Sequence, residues 1–371
     1  MAVRPSRPDP DAPANPFTSP EELERILGRP FELRLGANES AFGPSRRALS
    51  AAARELARAS WYPDPRSEEL TDAVATARAL PPSQIVVGAG IDDLLDLVTS
   101  RLLRRGEAAV ATAGTYPIFE HLVRAHGGRL ATASYRSDIT VNLAALAELA
   151  HRADARIVYV ANPDNPSGSF LPEDVLRDFA DALPNGCALF LDHAYAEFAG
   201  HTGAEADVAS HPARLARFYT FSKAYGLAGL RIGYAVVGPE IAQTLAEPRK
   251  HVSVTRLAQA AALAALDDVD HLRWVVREVE RGRDEYAALG PGLGWEPIPS
   301  RANFVTFRVG SVRSASEWVR ALARHGVFVR RGFADPLDSC LRVTIGTAED
   351  RGKLAGIAGR ISAGHSDWLR P

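Results

Sequence analysis

Cysteine is scarce in this chain of 371 residues, which contains only Cys187 and Cys340. Each opens a predicted buried strand, so we interpret both as core thiols rather than as a disulfide or a metal-binding pair. The ten histidines show no spacing typical of metal ligands. The sequence therefore argues against a disulfide and predicts no metal site.

Long apolar runs and an excess of one charge are also missing. No stretch approaches the roughly 20 apolar residues that span a bilayer, and Arg4 and Arg7 precede no apolar run of the signal-peptide type. Lys plus Arg total 43 against 45 for Asp plus Glu, a net charge of −2. Nothing in this balance indicates binding to nucleic acid or to an anionic membrane. We expect a cytoplasmic, globular protein that is long enough for two domains.

The middle of the chain alternates strands with helices, which predicts a mainly parallel, seven-stranded sheet covered by helices. Apolar runs predict strands near 84–88, 108–112, 131–135, 156–161, 187–192, 217–221 and 233–237. Amphipathic patterns predict helices near 20–27, 91–103, 116–126, 143–151 and 172–182. After these, the patterns predict helices near 252–266, 269–289, 314–325 and 348–362, and strands near 303–309, 327–331 and 341–345.

The most informative stretch is residues 220–234, TFSKAYGLAGLRIGY. Lys223 follows a short apolar strand and is flanked by small and hydroxyl residues, and Arg231 comes eight positions later. Lysine forms Schiff bases with carbonyl compounds, and arginine offers a planar fork suited to phosphate. This pair predicts a site for pyridoxal 5′-phosphate (PLP). A lone lysine is more often a solvated surface charge, so the prediction depends on the other segments.

Two of those segments place polar residues where strands end. Asn165 lies in a turn, residues 162–168, whose two prolines and glycine hold the backbone rigid. Asp192 ends a buried strand, where a carboxylate is costly unless it is paired, and Tyr195 follows three residues later. A protonated pyridine nitrogen would suit Asp192, and a ring oxygen would suit Asn165 and Tyr195. The alternatives are a simple Asx turn and a helix cap.

The third segment is the turn Gly88-Ala89-Gly90, which follows a strand and precedes an amphipathic helix. Free N–H groups at the start of that helix predict an anion site. The missing third glycine argues against a dinucleotide-binding fingerprint.

Together these segments resemble the fold-type I PLP-dependent enzymes, in particular the histidinol-phosphate aminotransferase family. The resemblance runs from about Leu33 to about Ile361. The family's Asn-Pro-x-Asn-Pro-x-Gly turn appears at 162–168, its Asp-x-x-Tyr at 192–195, and its Ser-Lys-x-x-x-x-x-Gly-x-Arg at 222–231. It implies an α/β fold with an N-terminal arm that is partly disordered (1–30), a segment near the active site (31–50), a large PLP-binding domain (51–250) and a small C-terminal α/β domain (251–371).

The resemblance also implies roles for individual residues. Lys223 would bind PLP covalently and, with Asp192 and Tyr195, would be catalytic. Asp192 would pair with the ring nitrogen, Asn165 and Tyr195 would bond the ring oxygen, and Tyr116 would stack on the ring. The other implied cofactor-binding residues, mostly at the phosphate, are Gly90, Ile91, Asp92, Thr220, Ser222 and Arg231.

Four further residues are implied to contact the substrate or a second subunit. Arg342 would bind the substrate's acidic group, Arg330 would bind a substrate phosphate, and Asn38 would also bind substrate. Tyr62 would reach the phosphate of the neighbouring subunit's cofactor, which implies a homodimer.

The activity implied is that of a class I/II aminotransferase of amino-acid biosynthesis. It would move an amino group from histidinol phosphate, or from an aromatic or imidazole-type amino acid, to a 2-oxo acid such as 2-oxoglutarate. A decarboxylase or a lyase/cyclase of a specialised amino-acid pathway on the same fold is the alternative. A non-catalytic PLP-binding module is disfavoured, because the Pro-rich N-terminus is too short for a DNA-binding unit.

The chain departs from the family pattern at several positions. His193 stands where the family has an acidic residue, and we interpret it as a solvated replacement; a role in substrate choice or proton transfer is the alternative. Ser40-Ala41 replaces the usual Asn-Pro, which would reshape the entrance of the site. We expect Arg331 to be exposed, and no function for Lys250 and His251.

Overall fold

The computed structural model describes residues 18–200, 214–245 and 252–364. Helix α1 (Pro20–Leu27) begins where Ser19 Oγ accepts from the N–H of Glu22 at 3.1 Å, and it ends at Gly28 with φ 70°. Lys250 and His251 lie outside the described residues. Within the described ranges, no helix is both long and apolar enough to cross a membrane.

Two helices that precede the large sheet are not predicted by the sequence patterns. They are α2 (Arg46–Leu56) and α3 (Glu68–Arg78). Helix α2 buries only Ala48 and Ala51, so it shows no periodic pattern of large apolar residues. It packs on another alanine-rich helix far along the chain, Arg256–Asp267.

The large sheet has seven strands, in the spatial order β2-β8-β7-β6-β5-β3-β4. These strands are β2 (Ile85–Gly88), β3 (Ala108–Thr112), β4 (Arg129–Ala133), β5 (Ala155–Ala161), β6 (Ala188–Asp192), β7 (Arg214–Thr220) and β8 (Gly233–Val237). Strand β8 runs opposite to the other six strands of this sheet, so the prediction of a mainly parallel sheet is confirmed.

Helices cover both faces of this sheet and bury its central strands. They include α4 (Ile91–Leu102), α5 (Pro117–Ala125), α6 (Leu143–Ala153), α7 (Glu173–Asp181), α8 (Pro239–Thr244) and α9 (Arg256–Asp267). Phe190 and Phe218 pack under one face, whereas Leu189 and Tyr219 pack under the other. This alternation follows from the period of two along a strand.

A smaller antiparallel sheet follows the long helix α10 (Val269–Leu289). Its order is β12 (Arg330–Arg331), β13 (Cys340–Thr344), β10 (Phe304–Arg308) and β9 (Glu296–Ile298), and helices α11 (Val312–Arg324) and α12 (Ala348–Gly364) accompany it. The single strand predicted at 327–331 is wrong in detail. Residues Val327–Phe328 form β11, which pairs with β1 (Leu33–Arg34), and only β12 joins the four-stranded sheet.

Candidate active site

A cavity of about 440 Å³ opens between the two sheets, at the carboxyl ends of β5, β6 and β7. Ligands in open α/β sheets bind at this edge. Most of the predicted site residues line the cavity: Asn38, Ile91, Asp92, Tyr116, Asn165, Asp192, Tyr195, Thr220, Ser222, Lys223, Arg231, Arg330 and Arg342. Gly90 is not part of the lining but lies beside Arg231, which is, whereas Tyr62 is 83% exposed and lies outside the lining.

Lys223 lies in the first turn after β7, with its amine inside the cavity. Its Nζ is 3.4 Å from the carbonyl oxygen of Ala37 and 5.8 Å from the centre of the Tyr195 ring. Burial, followed by the charge of Arg342, lowers the pKa of Lys223 from 10.5 to about 8. An amine with this pKa is partly neutral near pH 7, as a nucleophile or proton carrier must be.

Asp192 is held at the end of β6 by two hydrogen bonds. Its Oδ2 accepts from the Tyr159 hydroxyl at 2.8 Å, and its Oδ1 accepts from the N–H of Ala194 at 3.0 Å. Burial raises the pKa of Asp192 to about 6. The second bond closes an Asx turn and is not the helix cap that the sequence left open, because the helical turn Ala196–Ala199 has Tyr195 as its N-cap. The carboxylate also faces the cavity. A buried carboxylate in this position fits a cationic ring nitrogen.

Tyr159 is a functional residue that the sequence analysis missed. It lies inside the apolar run of β5 and is completely buried. A buried tyrosine hydroxyl usually has a hydrogen-bond partner. A tyrosine within an apolar strand could therefore have been predicted to donate to a carboxylate at the end of a neighbouring strand.

The start of α4 forms a cradle for an anion. Gly90 has φ 95°, and a Cβ added there would lie 2.7 Å from Nη2 of Arg231. Nη1 of Arg231 is 3.5 Å from Ser222 Oγ, which accepts from Thr220 Oγ1 at 2.9 Å. A guanidinium, hydroxyls and a helix N-terminus together match a phosphate, and the missing Cβ at Gly90 leaves room for the guanidinium.

Asp92 adds a negative charge beside this cradle. Its Oδ1 accepts from the Tyr116 hydroxyl at 3.2 Å, and its Oδ2 is 3.9 Å from Nη2 of Arg231. Burial raises the pKa of Asp92. Because a carboxylate repels an anion, the backbone of Asp92 suits a phosphate better than its side chain, which holds the Tyr116 hydroxyl.

Three polar side chains, those of Asn38, Asn165 and Tyr195, face the cavity near Lys223. Asn38 Nδ2 donates to the Tyr195 hydroxyl oxygen at 2.9 Å, so the Tyr195 proton is left to donate to another acceptor. Asn38 itself adopts φ 54°, and its Oδ1 accepts from Thr344 Oγ1 at 3.1 Å. Asn165 accepts from Arg342 through its side-chain oxygen. The Asn165 amide and the Tyr195 hydroxyl are thus oriented donors.

Two arginines from the small sheet form the opposite wall. Arg330 and Arg342 are directly paired in register between β12 and β13. Arg342 is buried, its Nη2 donates to Gly36 O at 2.7 Å, and its Nε lacks a hydrogen-bond partner among the described residues. Nη2 of Arg330 donates to the carbonyl of Thr18 at 2.6 Å. Burial, followed by the charge of Arg342, lowers the pKa of Arg330 to about 10. This wall fits a substrate that carries negative charge.

The interpretation of His193 as a solvated residue is wrong. The side chain is completely buried and is not part of the cavity wall. Asp192 faces the cavity, so the next residue points to the other side of the sheet. Arg331, expected at the surface, is half-buried and donates to the carbonyl of Asp338 at 3.5 Å.

Comparison with known proteins connects this geometry to a family. The sequence profile of the family described as "Aminotransferase class I and II" matches residues 32–357. A histidinol-phosphate aminotransferase of Anaeromyxobacter sp. is 33% identical over 95% of this chain and 96% of its own. Histidinol-phosphate aminotransferase 2 of Methylococcus capsulatus is 38% identical over 89% of this chain and 90% of its own.

Solved structures agree with these sequence relatives. The crystal structure of histidinol-phosphate aminotransferase from Sinorhizobium meliloti in complex with PLP superposes with a TM-score of 0.89. It is 36% identical, and the match covers 94% of this chain and 95% of that one. A tetra mutant of Thermus thermophilus aspartate aminotransferase, 21% identical, shares the fold at a TM-score of 0.75 and covers 89% of this chain and 96% of its own.

Proposed function

Because the chain belongs to the class I and II aminotransferase family, we propose that it is a PLP-dependent aminotransferase that takes its amino group from histidinol phosphate. The sequence-based predictions of family and fold are confirmed. One observation carries the proposal: Lys223, Asp192 and Arg231 share one cavity with two arginines from the small sheet.

The residues of the cavity fit PLP. The Gly90–Arg231 cradle matches its phosphate, the buried Asp192 matches its ring nitrogen, and the amine of Lys223 matches its aldehyde. When bound, PLP supplies an electron sink for the charge that remains when an amine carbon loses a proton. The protein supplies binding, orientation and proton transfer.

The residues of the large domain that line the cavity have separate proposed roles in this chemistry. The Lys223 amine, about half neutral at pH 8 because burial lowers its pKa to about 8, would take up and release the proton of the substrate carbon that bears the amino group. As an anion, Asp192 would hold the ring nitrogen of PLP and would favour its protonated form. Asn165 and Tyr195 would donate to the ring oxygen, and Tyr116, whose hydroxyl donates to Asp92, would stack on the ring.

The small sheet supplies recognition of the substrate. Arg342 and Arg330 are adjacent in register, so they present two guanidinium groups side by side. Histidinol phosphate carries a phosphate, and a planar fork binds phosphate through two hydrogen bonds. A 2-oxo acid such as 2-oxoglutarate, the proposed acceptor, places a carboxylate on Arg342, and Asn38 borders the same space. We propose that segment 51–250 is the cofactor domain, on which α9 also packs. The rest of segment 251–371, with the small sheet, is the proposed substrate domain, and closure between the two excludes water.

The protein is proposed to act in the cytoplasm as a homodimer to which Tyr62 contributes across the interface. Trp61 and Tyr62 are 64% and 83% exposed, and Leu49 and Leu56 on α2 are exposed as well. Arg256 donates to the Tyr62 carbonyl at 2.8 Å and fixes the backbone there. These exposed large apolar side chains are what supports an interface in this part of the chain.

A half-reaction screen tests the function. The purified PLP form is mixed with histidinol phosphate, or with phenylalanine, without a keto acid. We expect the cofactor spectrum to change to the pyridoxamine form and the imidazole keto product to appear by mass, with histidinol phosphate faster than phenylalanine. The Lys223→Ala variant is the control that should do neither. The proposal is contradicted if phenylalanine loses its carboxyl group, or histidinol phosphate loses its phosphate, while the cofactor spectrum stays unchanged.

A further inference from the structure

His193 occupies a place behind the cofactor site rather than in it. Its backbone N–H donates to Phe218 O at 2.8 Å, in continuation of the pairing of β6 with β7. The imidazole is 0% exposed and stacks on Tyr219, with ring centres 5.2 Å apart and planes 20° apart. It follows Asp192 directly and stands where the family pattern has an acidic side chain.

The partners of the imidazole define its tautomer. Nδ1 lies 2.8 Å from the carbonyl oxygen of Asn162, which can only accept. Nε2 lies 3.2 Å from Nη1 of Arg217, and a guanidinium can only donate. Nδ1 therefore carries the proton and Nε2 carries a lone pair. The two hydrogen bonds assign a neutral ring.

Arg217 is itself held in place by Glu173, so the surroundings of His193 determine its tautomer. Arg217 is 2% exposed, and both of its Nη atoms pair with the Glu173 carboxylate of α7. Within the part of the chain that the structure describes, the charged and titratable groups around the imidazole include Arg217 and Tyr219 from β7, Glu173 from α7, and the neighbouring Asp192. A proton on Nε2 would set two donors against each other and place a second cation beside Arg217.

The Nδ1 bond ties two parts of the cofactor site together. The N–H of Asn162 donates to Asp192 O at 2.8 Å, while its carbonyl accepts from His193. Its side chain exchanges two hydrogen bonds with the Leu171 backbone, at 2.9 and 2.8 Å. Asn162 begins the turn that carries Asn165. His193 thus links Asn162, the first residue of that turn, to the end of β6, which carries Asp192.

We infer that His193 is a positioning residue: in its Nδ1-protonated, neutral form, locked by Arg217 and Glu173, it fixes the spacing between Asn165 and Asp192. This inference rests on the proposed function, because Asn165 and Asp192 are proposed there to contact the same ring, Asn165 at its oxygen and Asp192 at its nitrogen. It assigns His193 no contact with cofactor or substrate.

Two variants separate the parts of this role. His193→Asn keeps a short donor that can reach the carbonyl of Asn162, whereas His193→Phe keeps a stacked ring and loses both hydrogen bonds. We expect kcat with histidinol phosphate to fall roughly ten- to a hundredfold in the Phe variant, the cost of misplaced catalytic groups. The Asn variant should recover most of that loss. The pH midpoint of the lysine–cofactor absorbance should shift only in the Phe variant.

A control variant measures the effect of lost stability alone. Glu285→Gln weakens the pairing of Glu285 with Arg351, a buried arginine of α12 that is 3% exposed in its side chain. It should lower the melting temperature without moving the absorbance midpoint. If the Phe variant of His193 behaves like this control, with kcat and midpoint unchanged, the inference is overturned.

Nitrogen NMR of histidine-labelled protein tests the tautomer independently of turnover. We expect one histidine with protonated Nδ1 and unprotonated Nε2, absent from the spectrum of His193→Asn and unchanged between about pH 6 and 9. A protonated Nε2, or titration with the ordinary pKa of about 6.5, refutes the inference. This spectrum is informative even if the half-reaction screen fails, so the two failures are distinguishable.

Discussion

Replacing Lys223 with methionine should stabilise the cofactor-free protein at neutral pH. The pKa of Lys223 is lowered from 10.5 to about 8, chiefly by burial. A tenfold change in proton affinity corresponds to about 1.36 kcal/mol, so holding this ammonium in the folded protein costs about 3 kcal/mol at pH 7. Methionine has a similar length and carries no charge, so Lys223→Met removes that cost.

The pH dependence of this gain has a definite sign. The unfolded chain keeps the lysine proton up to a pKa of 10.5, whereas the folded protein releases it near pH 8. The wild type therefore gains stability as pH rises through this window. The advantage of the methionine variant should be complete below about pH 8 and should disappear towards about pH 10.5.

Urea unfolding of both cofactor-free proteins at several pH values measures this difference. Lys353→Met is a matched control, because Lys353 pairs at the surface with Glu32 and Glu349 at 3.0 and 3.1 Å. It should produce no stabilisation. Equal stability of wild type and Lys223→Met at pH 7, or a gain that does not change with pH, would show that Lys223 is not held in a desolvated site.

Three further perturbations address the cofactor and substrate sites. Because burial raises the pKa of Asp192 to about 6, PLP affinity measured by absorbance titration should fall as the pH drops below about 6, and Asp192→Asn should lower the affinity and remove this dependence. Arg330→Gln should raise KM for histidinol phosphate roughly 10- to 100-fold, as loss of a charged hydrogen bond does, and should leave phenylalanine nearly unaffected; the neighbouring Arg331→Gln, outside the cavity, should change neither. Gly90→Ala would place a Cβ 2.7 Å from a guanidinium nitrogen, so it should weaken PLP binding more than the control Gly200→Ala, where φ is 66° and the space is open. Equal PLP affinities of the two variants would show that the cradle does not bind the cofactor.

Much of the site follows from strand ends, which a sequence displays well. An apolar run followed by a polar residue marks the carboxyl end of a buried strand, and Asp192 and Lys223 both occupy such positions. Parallel strands bring these ends to one edge. The predicted strand bounds in the large sheet therefore agree with the structure to within about three residues, and the side chains at their ends meet in one cavity.

Contacts between distant segments lie beyond such patterns. Arg330 donates to Thr18, and Arg217 pairs with Glu173, yet nothing local in the sequence connects either pair. The same limit explains His193: the residue after a strand-end carboxylate can be solvated or buried, and the choice depends on what packs behind the sheet. The break between β11 and β12 was likewise invisible, because the apolar pattern continues through Val329.

Borohydride reduction of the PLP-loaded protein, followed by tryptic peptide mapping, tests the central claim most directly. Trypsin cuts after Arg217 and Arg231 and cannot cut at a modified lysine, so the label should appear on the peptide 218–231, which contains Lys223. The account predicts a reduced phosphopyridoxyl group on that peptide and none in Lys223→Ala. A protein that takes up no label, or carries it on another lysine, contradicts the account.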